Sequence, residues 1–225
     1  MPLHPRSDWT ELAAPGEPIA APAEWVIHHF WRPDVPATAS LVDERRIIAA
    51  VDRAHRDNGW GGIAYGHLIG DSGRVWEGRG WRRSGAHAAG RRPGGGPKIN
   101  YSSHSVAFMI DADRDFPTAK AWAALAELLE HGEREGHVQR GSVISPHRRY
   151  AAKSCPGHAI TDRHLDDLRR WLDNPEVPDV TAEEHAWLAT IHHHVAGDAD
   201  QGARLPRLIR DVDELSERVA AIEGG

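Results

Sequence analysis

The apolar run Trp25-Val26-Ile27 leads into His28-His29-Phe30 and is bounded by turn-forming residues, the pattern of a strand entering a core over residues 25–30. Residues 41–56 change rhythm, with Leu41, Ile47, Ile48, Val51 and Ala54 falling mostly on one face of a helix and charges elsewhere. Two further apolar runs, residues 63–69 and 74–77, flank Asp71-Ser72-Gly73, whose composition predicts a hairpin turn. Residues 105–110 then read as a strand, 118–134 as a second amphipathic helix, 143–147 as a short strand and 161–172 as a third helix. Because strands and helices interleave, the fold class expected is α/β, a single domain with a central mixed β-sheet flanked by helices.

Around this body the pattern weakens. Residues 1–23, rich in Pro and Ala, are expected to wrap the surface as an irregular arm, leaving residues 24–173 as the folded domain. Residues 85–101 form a long loop containing Arg91-Arg92-Pro93-Gly94-Gly95-Gly96-Pro97, and a loop of that length in a compact domain commonly borders a site. Pro175 and Pro178 stop the third helix within a linker over residues 174–180. Thr181-Ala182-Glu183-Glu184 fits a capping box that opens a C-terminal helical appendage over residues 181–225. Within it Leu205, Leu208, Val212, Leu215, Val219 and Ile222 step by 3, 4, 3, 4 and 3, the heptad spacing of a coiled-coil stripe. A helix this short is marginal alone, so it needs a partner surface. Either it folds back on the rest of the chain, or residues 203–222 form a homo-oligomer.

Charge narrows the partners. The 225 residues carry 27 Lys+Arg against 33 Asp+Glu, a net charge of −6 with no basic block, which argues against nucleic acid as the main partner. No run approaches the roughly 20 apolar residues a membrane span requires, so no membrane insertion is expected. Residues 1–18 carry Asp8, Glu11, Glu17 and prolines rather than a basic start and an apolar run, so they do not read as a signal peptide and synthesis in the cytoplasm is expected. A single cysteine forms no internal disulfide, which leaves the core, or a metal, to hold the fold.

The metal option has three pieces. His28 ends a predicted strand, where adjacent imidazoles point to opposite faces. His147 precedes Cys155 by eight residues, each next to a proline. Two imidazoles and a thiolate from separate segments make a three-ligand zinc site with a fourth position open. Taken singly each piece is weak: among sixteen histidines most are surface or hydrogen-bonded residues, and a lone cysteine is commonly an inert buried hydrophobe. His192-His193-His194 does not add a second site, since consecutive helical residues point about 100 degrees apart and do not converge.

The joint pattern is more telling. Trp25-Val26-Ile27-His28-His29, Gly59-Trp60, Ile63 to Ile69, Asp71 to Trp81, Gly85-Ala86-His87 and His147 to Gly157 occur in that order. Over about residues 24–172 the chain resembles the zinc-dependent N-acetylmuramoyl-L-alanine amidases of the type 2 family, shared by phage endolysins and animal peptidoglycan recognition proteins. The resemblance implies Zn2+ bound by His28, His147 and Cys155. It implies catalytic roles for Tyr65 and for Lys153, a lysine that the phage branch has where the recognition branch often has threonine. It suggests His87 and Arg79 as neighbours of the substrate, and Trp60 is expected to line the same groove, while the composition of residues 88–98 departs from the family's usual versions.

The implied reaction is cleavage of the amide between N-acetylmuramic acid and L-alanine in bacterial peptidoglycan. Zinc would bring the pKa of its water toward about 7, and Lys153 would stabilise charge on the carbonyl oxygen. Tyr65 would orient the water or relay its proton. The expected setting is a phage-type, bacteriolytic endolysin made without a signal peptide and acting on the cell wall after release. The alternatives are a non-hydrolytic peptidoglycan-binding module, whose relatives commonly lose the cysteine ligand, and a regulatory protein acting through its C-terminal helix.

Overall fold

A computed structural model describes residues 3–30, 39–92 and 94–173, so the linker, the capping-box helix and the heptad stretch expected beyond residue 173 lie outside the described residues. In chain order the elements are β1 (Leu3–His4), β2 (Glu24–His29), α1 (Leu41–Asp57), β3 (His67–Ile69), β4 (Val75–Glu77), a single helical turn α2 (Ile99–Ser102), β5 (His104–Phe108), α3 (Ala119–Arg134), β6 (Val143–Pro146) and α4 (Asp162–Asp173). The strands make one mixed sheet in the order β1-β4-β3-β5-β2-β6. β3 and β4 pair antiparallel across the Asp71-Ser72-Gly73 turn and the other neighbours run parallel. The expected α/β class with a mixed central sheet is the observed one.

Both faces of the sheet are covered. On one side α1 lays Ile47, Ile48 and Val51 against Leu68, Trp76, Ala107 and Met109. This helix starts at a capping box in which Ser40 and Asp43 satisfy each other's backbone N–H groups. Its buried Glu44 takes the Trp76 indole N–H at 2.8 Å and the Ser72 hydroxyl at 2.6 Å. On the other side α3 stacks Trp122 on Phe108, with α4 beside it and Arg169 of α4 on Glu133 of α3 at 2.6 Å. The same Glu133 receives the Trp25 indole N–H, which joins both helices to β2.

Beyond shifts of one or two residues at element ends, three parts of the chain differ from the expectation. The arm over residues 1–23 is not wholly irregular: β1 pairs with β4 as the outermost strand, and Arg6 donates to the carbonyls of Leu12 and Gly78. Residues 63–66 do not belong to the strand expected over 63–69. Ile63 N–H goes to the Asp52 carboxylate and Ala64 N–H to His55 Nδ1, so helix side chains take the bonds a neighbouring strand would have made. The long loop over residues 85–101 is interrupted by α2, which begins at Ile99.

On the α3 side, His67 Nδ1 and His104 Nε2 meet at 2.8 Å, and Trp81 is stacked between His104 and His137 at 4.7 Å from each. Burial, and then His137, pushes His104 from 6.5 down to about 3, while burial followed by His104, His137 and His131 depresses His67. Arg82 and Glu135 are the other charges that face His137. Both buried imidazoles are therefore neutral when folded, whereas the unfolded chain takes up their protons as pH falls below 6.5. Stability is expected to be fully present above pH 6.5 and to decline toward pH 3, by up to about 1.4 kcal/mol per pH unit for each such histidine. Urea denaturation from about pH 7 to pH 4 reads this slope. His104→Gln should make it shallower, and an unchanged slope would exclude His104 as its source.

Candidate metal centre and cleft

The sheet register builds the site. Ile27 pairs with Pro146 in the parallel β2–β6 ladder, so the next residues, His28 and His147, leave the sheet side by side with ring centroids 4.4 Å apart. They emerge at the carboxyl ends of parallel strands, where α/β sheets place their ligands. Alternation along β2 sends Glu24, Val26 and His28 to the α1 face and Trp25, Ile27 and His29 to the other. The adjacent histidines thus diverge: His29 Nδ1 accepts the Ala112 N–H at 2.9 Å, while His28 faces His147 and Cys155.

Cys155 arrives on a loop tied down on both sides. Asp113 accepts from the Ser154 hydroxyl at 2.7 Å and from the His158 N–H at 3.0 Å, and Arg148 N–H donates to the Cys155 carbonyl. Gly157 lies at φ +104°, and a Cβ there would sit 2.3 Å from the Ala112 carbonyl carbon, so the loop can close against the β5 end only with glycine at this position. Cys155 Sγ then stands 3.6 Å from His28 Nδ1, and one donor atom from each of His28, His147 and Cys155 lies within 4.8 Å of the others.

All three are buried, and burial sets their protonation. It depresses His28 strongly, helped by His87 and His147, and brings His147 to about 4, with Lys153 adding to the effect. Neutral imidazoles with free lone pairs are the form that ligates a metal. Burial drives the Cys155 thiol up to about 12, against the pull of the His29 backbone N–H and Lys153. A cation at this point would favour the thiolate directly. Two nitrogens and one sulfur suit the borderline-soft Zn2+, and three protein donors leave a position for substrate or water, as in catalytic zinc sites.

The cluster lies in a cleft of about 440 Å³ whose walls include Trp60, Tyr65, His87 and Lys153. Tyr65 sits in the loop ahead of β3, not within the hairpin strand, with its ring 5.1 Å from that of His28. Burial and the nearby Cys155 raise its phenol, which keeps the hydroxyl protonated and able to donate. Lys153 is exposed on the opposite segment, two residues before Cys155. Trp60 is 44% exposed and stands against the His55 ring at 4.9 Å.

Arg79 is placed differently from the substrate neighbour suggested above. Its buried guanidinium is spent on three backbone carbonyls, Ile63 at 2.6 Å, Trp60 at 2.7 Å and Ser84 at 2.8 Å, so it braces the segment carrying Trp60 and Tyr65 from behind. Each of these charge-assisted bonds is worth about 1.5 kcal/mol, so Arg79→Met is expected to lower stability in urea by about 4.5 kcal/mol. A denaturation midpoint equal to that of the wild type would contradict this bracing role. His87 does border the cleft, but its Nδ1 lies 2.9 Å from His28 Nε2, so it engages the proposed ligand. Asp113, Ser103 and Asn100 escaped the sequence reading because each is an ordinary polar residue whose partners become neighbours only through the fold. Glu24, which binds the Tyr150 hydroxyl and pairs with Arg92 at 2.8 Å, escaped it for the same reason.

An α/β domain whose strand ends carry a nitrogen and sulfur donor cluster that could hold a metal ion is one class of fold and site, and similarity to known proteins narrows it. The family model described as N-acetylmuramoyl-L-alanine amidase matches residues 20–158, and the chain belongs to that family. It is similar to the human N-acetylmuramoyl-L-alanine amidase, 30% identical over 177 residues, covering 75% of this chain but 28% of the human protein. It is likewise similar to peptidoglycan-recognition protein SC1a of Drosophila melanogaster, 32% identical over 152 residues, covering 65% of this chain and 71% of that one. Among solved structures, a point mutant of Drosophila PGRP-LB in complex with tracheal cytotoxin superposes with a TM-score of 0.64 at 27% identity, covering 75% of this chain and 94% of that one.

Proposed function

We propose that the domain is a zinc-dependent hydrolase that cuts the amide between N-acetylmuramic acid and the first L-alanine of bacterial peptidoglycan. The observation that carries this reading is the convergence of His28, His147 and Cys155 in a cleft also walled by Tyr65 and Lys153. The relatives add support: one is named for the amidase activity, and a similar structure holds tracheal cytotoxin, described in another solved complex as a monomeric diaminopimelic acid-type peptidoglycan.

His28, His147 and Cys155 would hold the zinc ion, which when bound would supply Lewis acidity toward water and the scissile carbonyl. The chain's own residues supply the remainder. Trp60 offers an exposed aromatic face at the rim on which a sugar ring can rest. Tyr65 Oη keeps its proton and donates within the cleft, orienting water toward the carbonyl carbon. As water oxygen bonds to that carbon, charge collects on the carbonyl oxygen, and the Lys153 ammonium stabilises it more than it does the uncharged amide. The nitrogen takes up the proton that the attacking water gives up, the carbon–nitrogen bond breaks, and the stem peptide leaves with L-alanine as its free amino terminus.

The test is incubation of the protein with purified peptidoglycan, with and without a chelator. Release of new L-alanine amino termini with no new reducing ends, lost on chelation and restored by zinc, is the expected result. New reducing ends would mean a glycosidase, and retention on the polymer with no release would mean a recognition module. We further propose a phage-type lytic setting, in which the enzyme reaches the wall after release, and self-association through residues 203–222. An unchanged monomeric mass in light scattering, with and without residues 180–225, would reject the latter.

A further inference from the structure

His28 does not end the polar chemistry of the cleft; a line of hydrogen bonds runs from it into the body of the domain. His28 Nε2 lies 2.9 Å from His87 Nδ1, His87 Nε2 lies 3.3 Å from Ser103 Oγ, and Ser103 Oγ lies 2.7 Å from the Ile99 carbonyl oxygen. All three side chains are buried. The direction of this line is fixed from its far end, because a carbonyl oxygen only accepts. The Ser103 hydroxyl therefore donates to Ile99, which leaves its oxygen to accept from His87 Nε2–H. His87 Nδ1 is then a lone pair, and the hydrogen between the two rings belongs to His28 Nε2. His28 Nδ1, 3.6 Å from Cys155 Sγ, is left as a lone pair facing the cluster.

The ring that transmits this is seated by its surroundings. Asn100 Oδ1 accepts the N–H groups of both His87 and Ala88 at 2.9 Å, and its carbonyl accepts the Gly85 N–H at 2.8 Å. A Cβ on Gly85 would stand 2.2 Å from His87 Cδ2, so only glycine leaves room for the imidazole in this orientation. The His87 ring meets the His28 ring edge-on, with an interplanar angle of 85°. Backbone clamp, vacant Cβ space and terminal acceptor all act on one atom pair.

We propose that His87 and Ser103 are positioning residues that fix the tautomer and rotation of His28, so that Nδ1 is presented to the metal before the metal arrives. The proposal rests on the zinc reading and extends it to residues that do not themselves bind the ion. Outer hydrogen bonds of this kind orient a ligating imidazole and raise its basicity, and their loss typically weakens metal binding by about 10- to 100-fold.

The experiment compares zinc dissociation constants, from competition with a chromophoric chelator, and the visible spectra of the cobalt-loaded proteins. His87→Phe keeps the ring volume but leaves His28 Nε2–H without an acceptor, and is expected to weaken zinc binding about 10- to 100-fold and shift the cobalt d–d bands. His87→Asn returns an acceptor oxygen near the Nδ1 position and is expected to stay within about threefold of the wild type, with its spectrum retained. A purely structural role for the ring would leave the asparagine variant as impaired as the phenylalanine one, and that result overturns the proposal. Wild-type affinity and spectrum in His87→Phe overturns it too. Should His87→Phe fail to fold by circular dichroism of the metal-free protein, Ser103→Ala carries the test, with several-fold weakening in support and unchanged affinity against. Failure of the wild type itself to bind zinc tightly overturns the zinc reading together with this proposal, whereas tight wild-type binding with indifferent variants overturns this proposal alone.

Discussion

Cys155→Ser is expected to abolish zinc binding and amide hydrolysis together. The thiol is the one sulfur in the cluster and lies 3.6 Å from His28 Nδ1 in a buried position. Serine keeps nearly the same shape but offers a hydroxyl that does not ionise under conditions where a thiolate forms on a metal. Two neutral imidazoles remain, too few and too uncharged for a tight site, so affinity should fall by more than the roughly hundredfold that loss of an outer partner costs. Metal content after dialysis and release of L-alanine amino termini from peptidoglycan are the two readouts. A serine variant that kept both at wild-type level would remove Cys155 from the ligand set.

Lys153→Ala separates metal binding from rate. The lysine is exposed on the cleft wall and contributes no donor to the cluster, so zinc content should be unchanged. In the proposed mechanism its ammonium stabilises charge on the carbonyl oxygen, and removal of one such stabilising group commonly costs about 10²- to 10³-fold in turnover. The loss should appear in kcat with little change in KM, since the group acts on charge that is absent from the bound substrate. A rise in KM at constant kcat would make Lys153 a simple binding contact.

How much of this was legible along the chain depended on the length of the signal. α1 and α3 could be read because several turns of apolar periodicity repeat, and β2 because a compact apolar run stands between turn formers. β1 has two residues, too few to alternate, and its pairing with β4 comes from opposite ends of the first third of the chain. His28, His147 and Cys155 stood out as a combination, but nothing linear shows that Ile27 pairs with Pro146, the registration that sets the two imidazoles together. Arg79 illustrates the opposite difficulty. An arginine among glycines looks the same whether it reaches toward a ligand or, as here, folds back onto three carbonyls. Ser103 and Asn100 sit in and beside a single helical turn with no periodic or compositional mark, and they matter only through the ring between them.

The position of β1 bears on how the domain can be handled. The family match begins at residue 20, yet the outer border of the sheet is made by Leu3 and His4, with Arg6 fastening the strap behind them. A fragment trimmed to the family boundary would present the bare main chain of β4 to its neighbours, a template for stacking one molecule onto the next. Insoluble material from such a fragment would therefore report the missing selvedge, and would say nothing about the chemistry beside β2 and β6 toward the opposite edge of the sheet.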